Sequence, residues 1–304
     1  MQKTCILFSG QGSQYEGMGS ELLNMFPDLG FIYECASDIL GFDLKKTCFT
    51  EPAEVLAKTE IAQPAIMATS LLAYEAVKKL DIVANAVAGH SLGEYAAMVA
   101  SGILTLEDGF KVIKARAHAM GECAKGQDGM MCAVLGLSPE EITAVCEAID
   151  GYVVPVNYNS PAQTVIAGES KAVEKAIEQF IAMGKKAIKL AVSAAFHSKL
   201  MQSGADEFYS SIKNVSFQMP TVDFYSNVTG EKLTDFSDMP TYLKTHLVSP
   251  VKFVDELNAI QSVGINHFIE CGPNKVLSGL VKKTLKDVDI SNVEDEKTFS
   301  KLKG

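Results

Sequence analysis

A run of small and apolar residues ends on a serine set between two glycines. In NAVAGHSLGEYAAMVASG, residues 85–102, a strand-like segment turns directly into a helix-like one, and the hinge reads Gly89-His90-Ser91-Leu92-Gly93. A strand that feeds a helix through so short a turn fits an alternating α/β chain. The spacing is GxSxG, in which the serine is held on a tight turn and glycines stand where side chains would clash. Ser91 is therefore the candidate nucleophile. The amide of Leu92, free at a helix N-terminus, is a candidate donor to an oxyanion.

The flanking sequence continues the alternation. KTCILFSG, residues 3–10, reads as a strand ended by glycine, followed by the loop QGSQYEGMG. That loop is no phosphate cradle, because a GxGxxG pattern from Gly10 meets Tyr15 and a P-loop from Gly12 meets Met18 where lysine is required. Residues 61–80 repeat apolar positions at three and four spacing and predict a buried helix, DIVANAVAG predicts a core strand, and residues 106–124 predict a further helix.

The rhythm changes near residue 129. MMCAVLG is a strand; SPEEITAVCEAI is a helix with Ser138 as cap and Pro139 at its first position. YVVPVNYNS and QTVIAG are two strands joined through NSPA, SKAVEKAIEQFIAMG is a helix, and KKAIKLAVS is a closing strand. The order βαββαβ over 129–194 is the ferredoxin-like arrangement. It predicts an inserted subdomain at 129–194, with 1–128 and 195–304 forming one α/β domain around a mostly parallel sheet. After the insert the expected elements are a helix around 198–213, the strand VDFYSN, a helix from MPTYLKTHL to VDELNAI, the strand NHFIECG and the helix KVLSGLVKKTL. The tail from 287 is mixed and admits a terminal helix.

Composition removes several classes of function. A net charge of −10 without a basic run gives nucleic-acid binding little electrostatic support. No apolar segment is long enough to predict a membrane span. The seven cysteines are scattered with no CxxC pair, and CILF is all that stands in place of a secretory h-region, so a reducing cytoplasm is the expected compartment.

A serine hydroxyl needs a base, and the chain offers five histidines. His118 falls inside an amphipathic helix and His267 beside a strand, where structural roles are the simpler reading. His90 adjoins the serine, but neighbours on a turn point different ways, so it shapes the pocket instead. His197, in AVSAAFHSKLM, lies where the insert rejoins the main domain and is the chosen base, with His246 next.

FSGQGSQYEGMG, IAQPA, GHSLGEYAA, KARAHAMG, YNSPAQTVIAG, AAFHSKLM, SPVKF and ECGPNKVL occur together and in order. With these blocks the chain resembles the malonyl-CoA:acyl carrier protein transacylases over essentially its whole length. The resemblance implies an α/β-hydrolase-like main domain carrying the ferredoxin-like insert. It implies that Ser91 takes malonate from coenzyme A as an ester, with His197 as general base and later acid, before the phosphopantetheine thiol of acyl carrier protein receives it. The amides of Gln11 and Leu92 would form the oxyanion hole. Arg116 would offer a bidentate fork to the free malonyl carboxylate; without the resemblance, a lone helix arginine reads as a solvated salt-bridge partner. His90, Gln63 and Asn159 match pocket positions, and Phe196 matches the malonyl-selecting form of its region.

One position departs from the pattern. The family orients its histidine with a main-chain carbonyl, commonly that of a glutamine four residues before the proline of SPV, and here that residue is His246. The carbonyl survives the change, while the carboxamide side chain is replaced by an imidazole. Glu270 could suggest a triad acid, but strand-end structure is the preferred reading. Lys185, Lys186, Lys189 and Lys199 offer a basic patch for an acidic carrier protein. No metal and no tightly held cofactor are implied, since the coenzyme A thioester is substrate, and a monomer is expected. The same resemblance admits an acyltransferase serving a polyketide synthase. A hydrolase clearing acyl carriers and a non-catalytic carrier-binding scaffold are the rival classes.

Overall fold

The computed structural model describes residues 2–192 and 194–303; Met1, Gly304 and Ser193, the last residue of the expected closing strand of the insert, lie outside the described residues. β1 (Thr4–Phe8) is central in a five-stranded sheet ordered β7-β2-β1-β8-β9, with β2 at Ala84–Gly89, β7 at Asp223–Phe224, β8 at His267–Cys271 and β9 at Asp289–Val293. Every pairing in it is parallel. A parallel sheet needs crossover connections and cover on both faces, and the alternation along β1 supplies the two faces. Ile6 and Phe8 enter one core with Val87, while Cys5 and Leu7 enter a second with Ala86 and Ala88.

Between β1 and β2 run α1 (Ser20–Met25), α2 (Phe31–Leu40), α3 (Leu44–Thr50), α4 (Ala53–Leu56) and α5 (Thr59–Lys78). The first four have no counterpart among the expected elements: each is short, and only α3 has a side-chain cap, Asp43 accepting from the Lys46 amide. After β2 come α6 (Gly93–Ala100) and α7 (Leu106–Lys125), the latter capped by the Thr105 side chain, which accepts from the Asp108 amide.

The second sheet is antiparallel and ordered β4-β5-β3-β6. Its elements follow in the expected order: β3 (Gly129–Leu135), α8 (Pro139–Glu147), β4 (Val153–Ser160), β5 (Gln163–Glu169), α9 (Ser170–Ala182) and β6 (Lys186–Lys189). Ser138 and Glu141 close a capping box on α8. Cys132, Val134 and Ile166 pack with Ile142, Val173 and Phe180 of the two helices, whereas Met131, Ala133, Val165 and Ala167 face the larger core. The sheet is thus half of its own small core and half of the main one. β6 is shorter than expected, and just beyond it the Leu190 amide donates to Met131 O.

α10 (Gln202–Ile212) follows a 3₁₀ turn at Lys199–Met201, and α13 (Val276–Thr284) and α14 (Glu296–Leu302) close the chain around β9, a strand the sequence did not announce. VDFYSN yields a strand of only two residues. The expected single helix from 239 onward is two, α11 (Met239–Val248) and α12 (Phe253–Ser262). Pro250 disfavours helical backbone at the residue before it, and Ser249 is extended with ψ 151°. That break leaves carbonyls without helical partners just where the site needs acceptors. Among the described residues no helix is long and apolar enough to cross a membrane.

Candidate active site

β2 ends at Gly89, and Ser91 sits on the turn into α6 with φ 54°, in the left-handed region that a non-glycine residue enters at a cost of about 1–3 kcal/mol. The two glycines of the motif are required by contact. A Cβ on Gly89 would lie 2.1 Å from the Gly93 carbonyl carbon, and one on Gly93 would lie 2.1 Å from the Phe8 carbonyl oxygen of β1. The helix can start this close to the sheet only because neither residue has a side chain.

Ser91 Oγ lies 2.7 Å from His197 Nε2. On the other side of the ring, Nδ1 is 3.2 Å from His246 O and 3.1 Å from Ser249 O. Carbonyl oxygens only accept, so the ring proton resides on Nδ1, and Nε2 is the bare nitrogen that accepts the serine hydroxyl. Burial, then the Arg116 charge, then His90 push the imidazole down to about 3, so it is neutral at physiological pH. No carboxylate takes part in this orientation.

Arg116 lies on the buried face of α7, one turn from Val112 and one from Met120. Its Nη1 donates to Gln63 Oε1 at 2.7 Å and its Nη2 to Ser91 Oγ at 3.0 Å. The guanidinium carbon stands 5.0 Å from the centroid of the Tyr95 ring. The side chain is 1% exposed, its Nε has no hydrogen-bond partner, and among the described residues no carboxylate lies within ion-pair distance. A buried cation in this state is costly unless an anion joins it.

Ser91, His197, Gln11, Met120, Met131 and Phe196 line a cavity of about 290 Å³. Among the described residues the amides of Gln11 and Leu92 have no hydrogen-bond partner, as an oxyanion hole requires. Gln63 is fully buried and reaches the site through Arg116 rather than by lining that cavity. The His90 Nε2 lies 2.7 Å from Asn159 Oδ1, and both residues line an adjoining cavity of about 240 Å³; His90 lines the first cavity as well, and the two also share Gln11, Gly12, Asn157 and Leu190.

His118 lies on the surface, while His267 and Glu270 serve the framework. His118 is exposed near Glu207, and His267 Nδ1 meets Thr4 Oγ1 at 3.0 Å. Glu270 accepts from the amides of Leu277 and Ser278 at the start of α13 and from Ser9 Oγ. In the basic patch, Lys185 donates to Gly136 O, Lys189 pairs with Glu174, and Lys199 lies over the Tyr152 ring.

Sequence reasoning missed a buried polar layer beneath the serine, made of Glu94, Asn227, Tyr242 and Glu256, together with the Ser249 carbonyl. Burial raises Glu94 to about 8 and moves Glu256 upward as well. One signal was available: Glu94 is the only charged residue of an otherwise apolar α6.

A family model described as the acyl transferase domain matches residues 5–303. The malonyl CoA-acyl carrier protein transacylase of Bacillus subtilis (strain 168) is 38% identical, with 98% of this chain and 96% of the relative covered. The crystal structure of the protein of that name from Clostridium perfringens superposes with a TM-score of 0.94 at 39% identity, covering 99% of this chain and 96% of that one. A malonyl-transacylase solved in complex with its type II polyketide synthase acyl-carrier protein gives a TM-score of 0.94 at 33% identity, with 98% of each chain covered.

Proposed function

The chain belongs to the acyl transferase domain family, and on that premise we propose a residue-by-residue route for its malonyl transfer from coenzyme A to acyl carrier protein. His197 Nε2 takes the Ser91 proton as Oγ attacks the malonyl thioester carbonyl. The amides of Gln11 and Leu92 hold the oxyanion of the tetrahedral intermediate. The carbonyls of His246 and Ser249 stabilise the imidazolium, which then protonates the departing thiol. In the second half-reaction the phosphopantetheine thiol gives its proton to His197 and attacks the Ser91 ester, and the imidazolium returns a proton to Oγ. Arg116 holds the free carboxylate throughout.

The observation that carries this reading is a buried guanidinium with no counter-ion, 3.0 Å from the nucleophile. That spacing suits an acyl group whose carboxylate is one methylene away from the reacting carbonyl. Phe196, 8% exposed on the cavity wall, limits room for a branch at that methylene. Gln63 fixes the fork by accepting from Nη1, while His90 and Asn159 brace each other beside the thiol entry. Intact-mass measurement after mixing with malonyl-CoA or acetyl-CoA tests the assignment. A malonyl adduct on Ser91 of the wild type and none on Arg116→Ala is expected; equal labelling of the two would overturn it.

The carrier is that of fatty acid synthesis in this proposal, the relatives' names giving an acyl carrier protein without its pathway; preference for a polyketide carrier over a fatty-acid carrier in a direct competition would reassign it. Lys185, Lys186 and Lys199 form the carrier-facing part of the basic patch, the charge of Lys189 being paired with Glu174. We take the unit at 129–194 as a ferredoxin-like subdomain inserted into an α/β-hydrolase-like domain, supported by its strand order and its own helix-covered core. The protein is a cytoplasmic monomer in this reading, with no resident cofactor.

A further inference from the structure

Every polar atom of Asn227 is spent beneath the catalytic pair. It is fully buried. Its backbone N–H donates to Glu94 Oε2 at 2.8 Å, and its carbonyl accepts from the Lys252 amide at 2.9 Å. Its side-chain Nδ2 donates to Gly89 O at 2.7 Å and to Glu256 Oε1 at 2.9 Å. Oδ1 accepts the Ser91 amide at 2.7 Å and lies 3.4 Å from His246 Nε2. The Gly89 carbonyl can only accept and the Ser91 amide can only donate, so the carboxamide has one possible orientation.

Those contacts join both halves of the dyad. Ser91 is held at φ 54°, and the hydrogen bond from its amide to Asn227 is the side-chain contact that ties the turn to the layer beneath it, beside the backbone bonds from His90 N to Phe8 O and from Glu94 N to Ser91 O. His246, whose ring reaches the same Oδ1, supplies a carbonyl that orients His197. We propose that Asn227 is the positioning residue that fixes Ser91 Oγ relative to His197 Nε2, acting through the Ser91 amide on one side and His246 on the other. It touches neither substrate nor reacting atoms. The proposal rests on Ser91 being the acylated residue.

The surroundings make the role testable by charge. The groups facing the Asn227 side chain are Glu94 of α6, Glu256 of α12 and His246 of α11; Tyr242 donates to Glu94, and Arg116 lies beyond Tyr95. A carboxylate at position 227 keeps an acceptor for the Ser91 amide, but it loses the donor to Gly89 O and adds negative charge beside two acids. Protonated, the same group regains one donor and one acceptor in the shape of the carboxamide.

The experiment compares single-turnover malonylation of Ser91 in wild type, Asn227→Ala and Asn227→Asp between pH 6 and pH 8, with rates normalised to the folded fraction. Binding of malonyl-CoA is measured in parallel on a Ser91→Ala background. We expect Asn227→Ala to acylate about a hundredfold more slowly, the cost of displacing a reacting group by about 1 Å, with its malonyl-CoA affinity unchanged. The ratio of the Asn227→Asp rate to the wild-type rate should rise as the pH falls. A wild-type rate in Asn227→Ala, an affinity loss that accounts for the rate loss, or a ratio independent of pH would overturn the proposal. Failure of both variants to fold would assign the residue to the fold and count equally against it. An unlabelled Ser91 in the wild type would instead remove the premise.

Discussion

The pair Ser91 and His197 and the neighbouring Arg116 are built on opposite electrostatic plans. Ser91 and His197 have partners for every reactive atom: the hydroxyl meets an imidazole nitrogen and the other ring nitrogen meets two carbonyls. Arg116, one hydrogen bond away, keeps among the described residues a buried charge without a carboxylate at ion-pair distance and an Nε without a partner. Under the proposed assignment the difference separates chemistry from selection. A neutral, internally satisfied dyad can move many acyl groups, whereas an unpaired guanidinium favours those that bring their own anion.

The comparison breaks most visibly at the base. His197→Ala should lower malonyl transfer about 10⁴-fold or more, as loss of a dyad member does, with malonyl-CoA binding retained because Arg116 and Gln63 are untouched; equilibrium binding and single-turnover rates check the split. Arg116→Met should abolish malonyl preference yet raise stability by about 1–4 kcal/mol, the range for replacing buried charged groups with apolar ones of similar volume, and denaturant melts read the sign. Lower stability in that variant would mean that the charge is already compensated.

A third consequence concerns pH. The reactive imidazole is the neutral form, so activity is lost when the ring gains a proton, and the ring is held down to about 3 by burial ahead of Arg116 and His90. The acid limb of kcat/KM for malonyl-CoA should therefore fall far below the value of about 6.5 for free imidazole, and a midpoint near that value would contradict the burial argument. The smallest effect belongs to His246→Gln. The orienting carbonyl stays, and the one side-chain hydrogen bond at stake is the weak contact with Asn227, the ring's edge contact with His197 being replaced by the glutamine side chain, so the rate should hold within about fivefold, equivalent to about 1 kcal/mol for one neutral hydrogen bond.

Local features were legible and tertiary ones were not. The elbow could be read because its geometry is dictated by consecutive residues: small residues in β2, two glycines and the start of α6. The βαββαβ order of the second sheet was legible for the same reason, since caps, glycine stops and alternation are local signals. Arg116 was visible only through resemblance, although its place between Val112 and Met120 on an apolar helix face was a physical hint. Asn227 gave no hint, because its partners come from segments far away in the chain: Gly89, Ser91, Glu94 and Glu256. The break between α11 and α12 was within reach, as Pro250 forbids ordinary helix before it, yet apolar periodicity on both sides masked it.

The charge at Arg116 can be tested most directly by equilibrium binding of malonyl-CoA and acetyl-CoA to Ser91→Ala protein, with and without Arg116→Ala. A preference for malonyl-CoA of about tenfold or more, equivalent to about 1.4 kcal/mol, that vanishes in the double variant is the expected result. Equal affinity of the two thioesters while Arg116 is intact would show that the buried guanidinium is not a receptor for the carboxylate.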